Sequence, residues 1–150
     1  MAHASLSNRI HIVFSTKHRK KLISAEFQPK LWAYMAGIAR KIGMQSVVVG
    51  GIDDHVHIFA LLPATLTLAR AAQMLKGNSS KWINDRSYAG ESFSWQEGYG
   101  AFSVSASQTS NVIHYVQHQA EHHKQHGFDQ EFISLLTRYG IAYDSDHVFG

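Results

Sequence analysis

Apolar and polar positions change their period several times along the chain, and the changes predict an ordered set of elements. Ile10-His11-Ile12-Val13-Phe14-Ser15 is rich in β-branched and aromatic residues and reads as a first strand. From Pro29 to Ile42, Leu31, Met35, Ile38, Ala39 and Ile42 recur at helical spacing. Pro29 suits the first turn of that helix, Gly43 suits its C-terminal end, and Ser24 is a candidate N-cap. Two further strands follow, Val47–Val49 and a run ending in Ile58–Leu62, with Gly50-Gly51-Ile52-Asp53-Asp54 as the turn between them and Pro63 as the stop.

Thr67 can cap a second helix, roughly Leu68–Asn84, with Ala71, Ala72, Leu75, Trp82 and Ile83 as apolar positions. Gly77-Asn78-Ser79-Ser80 interrupts its pattern, and a Gly with two Ser predicts a bend or break there. Arg86–Glu97 is Ser/Gly-rich and irregular, and Ala101–Ser105 alternates like a fourth strand. A third helix is expected from Gln108 to about Gln125, stopped by Gly127, and a fourth over Phe128–Tyr139, stopped by Gly140. The tail Ile141–Gly150 is expected to be extended or disordered. The order β-α-β-β-α-β predicts an α+β, ferredoxin-like or RRM-like split β-α-β fold: an antiparallel sheet with helices on one face, plus extra C-terminal helices. In such a sheet the first and third strands are neighbours, which brings His11 near the third strand while leaving its face open. No repeat or linker divides residues 1–150, which read as a single domain.

The third strand opens with His55-Val56-His57. Residues i and i+2 of a strand share a face, so the two imidazoles point the same way and a stiff backbone holds their spacing. Asp53 and Asp54 are ordinary turn residues or, alternatively, carboxylates that orient an imidazole. On the third helix, Asn111, Tyr115, Gln119 and His123 (or His122) follow one another at i, i+4 and form a polar stripe. Alone it reads as a solvated face. Combined with the histidine pair it offers a divalent-cation site of two imidazoles plus an amide or a third His, with a tyrosine hydroxyl beside it. A cation so held polarises a phosphodiester, and the hydroxyl can attack phosphorus. The donor set and the hard phosphate oxygens favour Mg²⁺ or Mn²⁺, although Zn²⁺ or Ni²⁺ would also fit it.

Composition narrows this further. The chain has 150 residues, 45% hydrophobic and 17% charged, which is a globular composition. It has no Cys, which excludes disulfides and thiolate ligands. The N-terminus lacks an apolar core of signal-peptide length, and no apolar run approaches the ~20 residues of a membrane span, so a cytoplasmic protein is expected. The net charge of +3 is only mildly basic. Lys17-His18-Arg19-Lys20-Lys21 is the dense positive run, and it follows the first strand directly. Lys17, Arg19, Lys76 and Lys81 are the candidate contacts for a polyanionic partner.

On these motifs the chain resembles the single-tyrosine HUH transposases, small enzymes that move certain bacterial insertion sequences as single-stranded DNA. His55-Val56-His57 matches their His–hydrophobic–His, and Tyr115 through Gln119 matches their Tyr-x-x-x-Gln. The opening strand with its basic turn, Leu75–Lys81 and Trp95–Val104 extend the resemblance over most of the chain. The resemblance implies that Tyr115 is the nucleophile, forming a 5′-phosphotyrosine and releasing a 3′-hydroxyl. It implies that His55, His57 and Gln119 are the metal ligands. It also implies single-stranded DNA with hairpins at the element ends as partner, and a homodimer whose sites are shared in trans. The chain departs from many relatives in carrying Asp53-Asp54 where Pro-Asn or Pro-Asp is frequent, and in crowding His118, His122 and His123 onto the tyrosine helix. The alternatives are an RRM-like binding module that stacks bases without cutting, and a metal-dependent hydrolase in which Tyr115 is structural.

Overall fold

The computed structural model describes residues 5–124 and 126–149. Its elements are β1 (Arg9–Ser15), α1 (Gln28–Lys41), β2 (Gln45–Gly51), β3 (His55–Leu61), α2 (Leu68–Asp85), β4 (Gly100–Ser103), α3 (Thr109–Gln117), α4 (Gln119–His122) and α5 (Phe128–Arg138). The four strands form one sheet in the order β2-β3-β1-β4, and every neighbouring pair is antiparallel. The α+β, split β-α-β arrangement expected from the pattern is the one observed.

Strand parity divides the sheet into two differently covered faces. Ile12, Phe14, Val56, Ile58 and Ala60 pack under α1 and α2, against Leu31, Met35, Ala39, Ala71 and Leu75. The alternate residues face the other way, and the added C-terminal helices cover them. There Val13 and Phe102 meet Phe128, Phe132, Leu135 and Leu136 of α5, while Phe59 and Val104 meet Val116 of α3. Both faces of β3 are therefore buried. The polar side chains it carries on the second face, His55 and His57, are fully enclosed.

Thr67 caps α2 as expected, its hydroxyl accepting from the Arg70 N–H at 3.1 Å. The expected break at Gly77–Ser80 does not occur: α2 runs unbroken. The Ser79 hydroxyl is buried, donates to the Leu75 carbonyl at 2.6 Å and accepts from the Trp95 indole N–H at 2.9 Å. That indole packs edge-on against Phe14. Tertiary contacts thus turn a poor helix former into the partner of a buried donor. Ser24 does not cap α1 as its N-cap residue; Phe27 occupies that position, and Ser24 accepts from it through backbone and side chain.

The third helix is shorter than its pattern suggested. α3 ends at Gln117, His118 has φ −116° and ψ 35°, and α4 restarts at Gln119. The far end of the expected helix, Gln125, lies outside the described residues, as does Gly150 at the end of the tail. α3 is seated tightly on β2. Gly50, which pairs with His57 across the sheet, lies so close to the Val116 carbonyl that a Cβ would collide with it. Gly50→Ala should push α3 away from the sheet and destabilise the protein by about 1–3 kcal/mol. Urea unfolding checks this, and an unchanged midpoint would mean that the helix seat is soft.

Candidate metal and nucleophile site

The site begins with the parity of two adjacent strands. His55 and His57 leave β3 on the face that α3–α5 cover, and His11 leaves β1 on the same face. His11 is the diagonal cross-strand neighbour of His57, a pairing that long side chains can bridge. His11 Nε2 and His57 Nδ1 are 2.7 Å apart, with the rings stacked. His55 Nδ1–H donates to Asp54 Oδ1 at 2.7 Å, so Asp54 orients an imidazole while its carbonyl accepts from the Thr16 N–H. The Asp53 carbonyl accepts from the Ile23 N–H.

Gln119 arrives from the start of α4, buried. Its amide N–H donates to the Tyr115 carbonyl at 3.0 Å, which turns Oε1 toward His55 Nε2, also at 3.0 Å. Glu131 of α5 enters the same space. His57 Nε2–H donates to Glu131 Oε1 at 2.9 Å, and His55 Nε2 lies 3.4 Å from that oxygen. The other oxygen, Oε2, accepts the Tyr115 hydroxyl and lies 3.1 Å from His123 Nε2 and 3.4 Å from His122 Nε2.

The structure therefore brings Tyr115, His55, His57 and Gln119 together, and it adds Glu131 and His11, which the motif reading had not assigned. Glu131 left one trace in the sequence: it lies on the apolar side of an amphipathic helix, between Phe128 and Phe132–Leu135, where a carboxylate is out of place. Tyr115 stands beside His57 of its own chain, with ring centroids 5.4 Å apart. The trans arrangement is thus not needed to assemble the site, because the fit of α3 on Gly50 and the Gln119–His55 contact bring the tyrosine to its own histidines. His118 is exposed and stacked on His114, away from the cluster.

The donor set fits a divalent cation. With Nδ1–H donating to Asp54, His55 Nε2 turns its lone pair to the lone pairs of Gln119 Oε1 at 3.0 Å. Two such atoms in contact repel unless a proton or a cation lies between them. His55, His57 and Glu131 place ligand atoms within 4.8 Å of one another and can hold a metal ion.

Charge is distributed unevenly around this point. Burial, with the neighbouring His57, lowers His11 to about 3, so it is neutral at pH 7. Burial raises Glu131, but the charge of His57 and hydrogen bonds from His123 and His57 outweigh it and hold the carboxyl well below its usual range. Burial, then the charge and hydrogen bond of Glu131, push the Tyr115 phenol above its usual value, so the hydroxyl is held protonated. The His11 shift has a consequence for metal-free protein. A histidine depressed by folding contributes stability that is complete above its unfolded value near 6.5 and is lost as pH falls toward 3. Chelated protein should lose stability across that window, and His11→Gln should reduce the slope by up to about 1.4 kcal/mol per pH unit. Urea titrations at several pH values would read this, and an unaltered slope would refute it.

The candidate cations are placed less uniformly. Lys17 and Arg19 lie in the turn after β1, and Lys17 makes no ion pair among the described residues. Arg19 pairs with Asp129 at 2.7 Å and lies over the Phe149 ring. Lys76 and Lys81 belong to α2, on the opposite side of the sheet from Tyr115. The Lys76 ammonium donates to the Glu97 and Gly98 carbonyls at 2.8 and 2.9 Å, and partial burial lowers it. Lys81 pairs with Asp85 at 2.6 Å. Beside Tyr115, a cavity of about 450 Å³ opens to solvent, lined by His11, Asn111, His122, Glu131 and Arg138.

A family model described as "Transposase IS200 like" matches residues 5–119. Transposases for insertion sequence element IS200 from Salmonella typhimurium (strain LT2) and Salmonella typhi are each 23% identical over 130 residues, covering 83% of this chain and 84% of theirs. Among solved structures, a candidate transposase from Deinococcus radiodurans R1 superposes with a TM-score of 0.62 at 19% identity, covering 79% of this chain and 98% of that one. A REP-associated tyrosine transposase bound to a REP hairpin superposes with a TM-score of 0.53 at 11% identity, covering 77% and 70%. At these identities the two structures bear on the fold alone.

Proposed function

The chain belongs to the IS200-like transposase family, and from that premise we propose that it cuts and rejoins single-stranded DNA at insertion-sequence ends with Tyr115 as the nucleophile. The observation that carries this reading is the Tyr115 ring standing beside His57, next to the His55–Gln119 contact, with its hydroxyl on the Glu131 carboxylate that also meets both histidines, at the edge of an open cavity. Tyr115 Oη attacks phosphorus, the P–O3′ bond breaks, and the 5′ end remains on the protein as a phosphotyrosine. Glu131 Oε2 accepts the phenol hydroxyl in a hydrogen bond and aims Oη at phosphorus, and the phenol proton passes to water in the open cavity during attack. The departing 3′ oxygen takes a proton from water and leaves as a hydroxyl. The phosphotyrosine keeps the phosphodiester linkage, so a 3′-hydroxyl can reverse the step and rejoin strands without ATP.

A divalent ion, Mg²⁺ or Mn²⁺, held by His55 and His57 with Gln119, would supply Lewis-acid polarisation of the phosphate. His11 behind His57, and Asp54 behind His55, set the direction of the two imidazoles. Lys17 and Arg19, at the end of β1, are the DNA contacts this reading favours, with Arg19 releasing Asp129. Lys76 and Lys81 take part only by exchanging their present partners for phosphate. The DNA is single-stranded, with hairpins at the element ends. Two element ends need two tyrosines, so the reading includes a homodimer, working in the cytoplasm.

The test is incubation of end-labelled single-stranded DNA from the flanks of the encoding gene with protein in Mn²⁺ or in chelator, run on a denaturing gel. A metal-dependent protein–DNA adduct carrying the strand downstream of the cut is expected. Cutting without an adduct would favour a hydrolase. DNA bound tightly and never cut would favour a binding module.

A further inference from the structure

Glu131 points its two oxygens at two different histidine pairs. Oε1 faces His55 and His57, while Oε2 faces His122 and His123. His122, His123 and Glu131 place ligand atoms within 4.8 Å of one another, as His55, His57 and Glu131 do. The His123 side chain is only 4% exposed; its Nε2 meets Glu131 Oε2 at 3.1 Å, while Nδ1 makes no hydrogen bond of good geometry among the described residues. A buried imidazole nitrogen without a partner is costly unless something else binds it. His122 is partly open and lines the cavity, which offers a cation a way in. All three residues lie beyond the stretch that the family model matches.

We propose that His122, His123 and Glu131 form a second divalent-cation site, with Glu131 bridging it to the first. Two imidazoles and a carboxylate form a borderline set that suits Zn²⁺, Co²⁺ or Mn²⁺ better than Mg²⁺. The site does not depend on what substrate the protein cuts. Its consequence for cleavage is direct: an ion there takes the oxygen that otherwise accepts the Tyr115 hydroxyl, so filling the second site removes the contact that aims the nucleophile.

Zn²⁺ and Mn²⁺ stoichiometry, measured by equilibrium dialysis on the full chain, tests the proposal. Wild type should bind two ions per chain. The double variant His122→Gln/His123→Gln should bind one, and His55→Gln/His57→Gln should also bind one. The exposed pair His114 and His118 is the competing binder on this surface, so His114→Gln/His118→Gln should still bind two. Circular dichroism of each variant confirms folding, and a Co²⁺ absorption spectrum of wild type, with two components of which His122→Gln/His123→Gln keeps one, gives a readout independent of dialysis. One ion in wild type that the His122/His123 variant retains would overturn the proposal, as would an extra ion lost only with His114 and His118. If the His122/His123 ion is present and the His55/His57 ion is not, the second site stands and the metal reading of the first fails.

Discussion

Tyr115→Phe is expected to abolish the covalent protein–DNA product and to leave the fold and the affinity for single-stranded DNA nearly unchanged. The substitution removes one oxygen. The ring keeps its edge-on contacts with His57 and His11, at centroid distances of 5.4 and 6.2 Å. The hydrogen bond lost to Glu131 is worth about 1 kcal/mol, and Glu131 retains His57 and His123. Removing the nucleophile of a covalent mechanism costs on the order of 10⁴-fold or more. The adduct band should therefore vanish while the melting temperature moves by a few degrees at most. Residual cutting by Tyr115→Phe at wild-type rates would assign Tyr115 a structural role.

Glu131→Ala should have the second large effect, this time on stability. The carboxylate is almost fully enclosed and satisfies groups from three elements: His57 on β3, Tyr115 on α3 and His123 after α4. Burial lowers His123, but the hydrogen bond and charge of Glu131 outweigh it and raise the ring above its ordinary value. Removing Glu131 leaves that cation, and the His57 N–H, without partners. Breaking a buried pair in this way costs about 3–5 kcal/mol. The deficit, measured by urea unfolding of chelated protein, should shrink as pH rises above the ordinary histidine range, because His123 then becomes neutral in both wild type and variant. A deficit under about 1 kcal/mol at pH 6 would show that the network is not what holds α5 on the sheet.

Much of the arrangement was legible in local pattern. The β-branched and aliphatic runs of β1 and β3, the helical spacing over α1, and the Asp53-Asp54 turn between β2 and β3 each follow from short-range sterics and local composition. The co-facial His55 and His57 follow from the two-residue repeat of a strand. Tyr115 and Gln119 lie close through i, i+4 spacing even though the helix breaks between them at His118. The break predicted at Gly77–Ser80 failed for the opposite reason: propensity is local, and the Trp95 indole that stabilises Ser79 comes from outside the helix.

What the sequence by itself determined is the order of the four strands and of the helices apart from the split of α3 and α4, the face that each strand residue takes relative to its neighbours, and the candidate pair of imidazoles with a tyrosine. Tertiary structure alone decided which layer covers that face. Burying Phe128, Phe132 and Leu135 on Val13 and Phe102 draws α5 onto the sheet. That burial carries Glu131 to histidines more than seventy positions earlier in the chain. The apolar contacts supply the driving force, and the carboxylate is tolerated there because five polar side chains surround it.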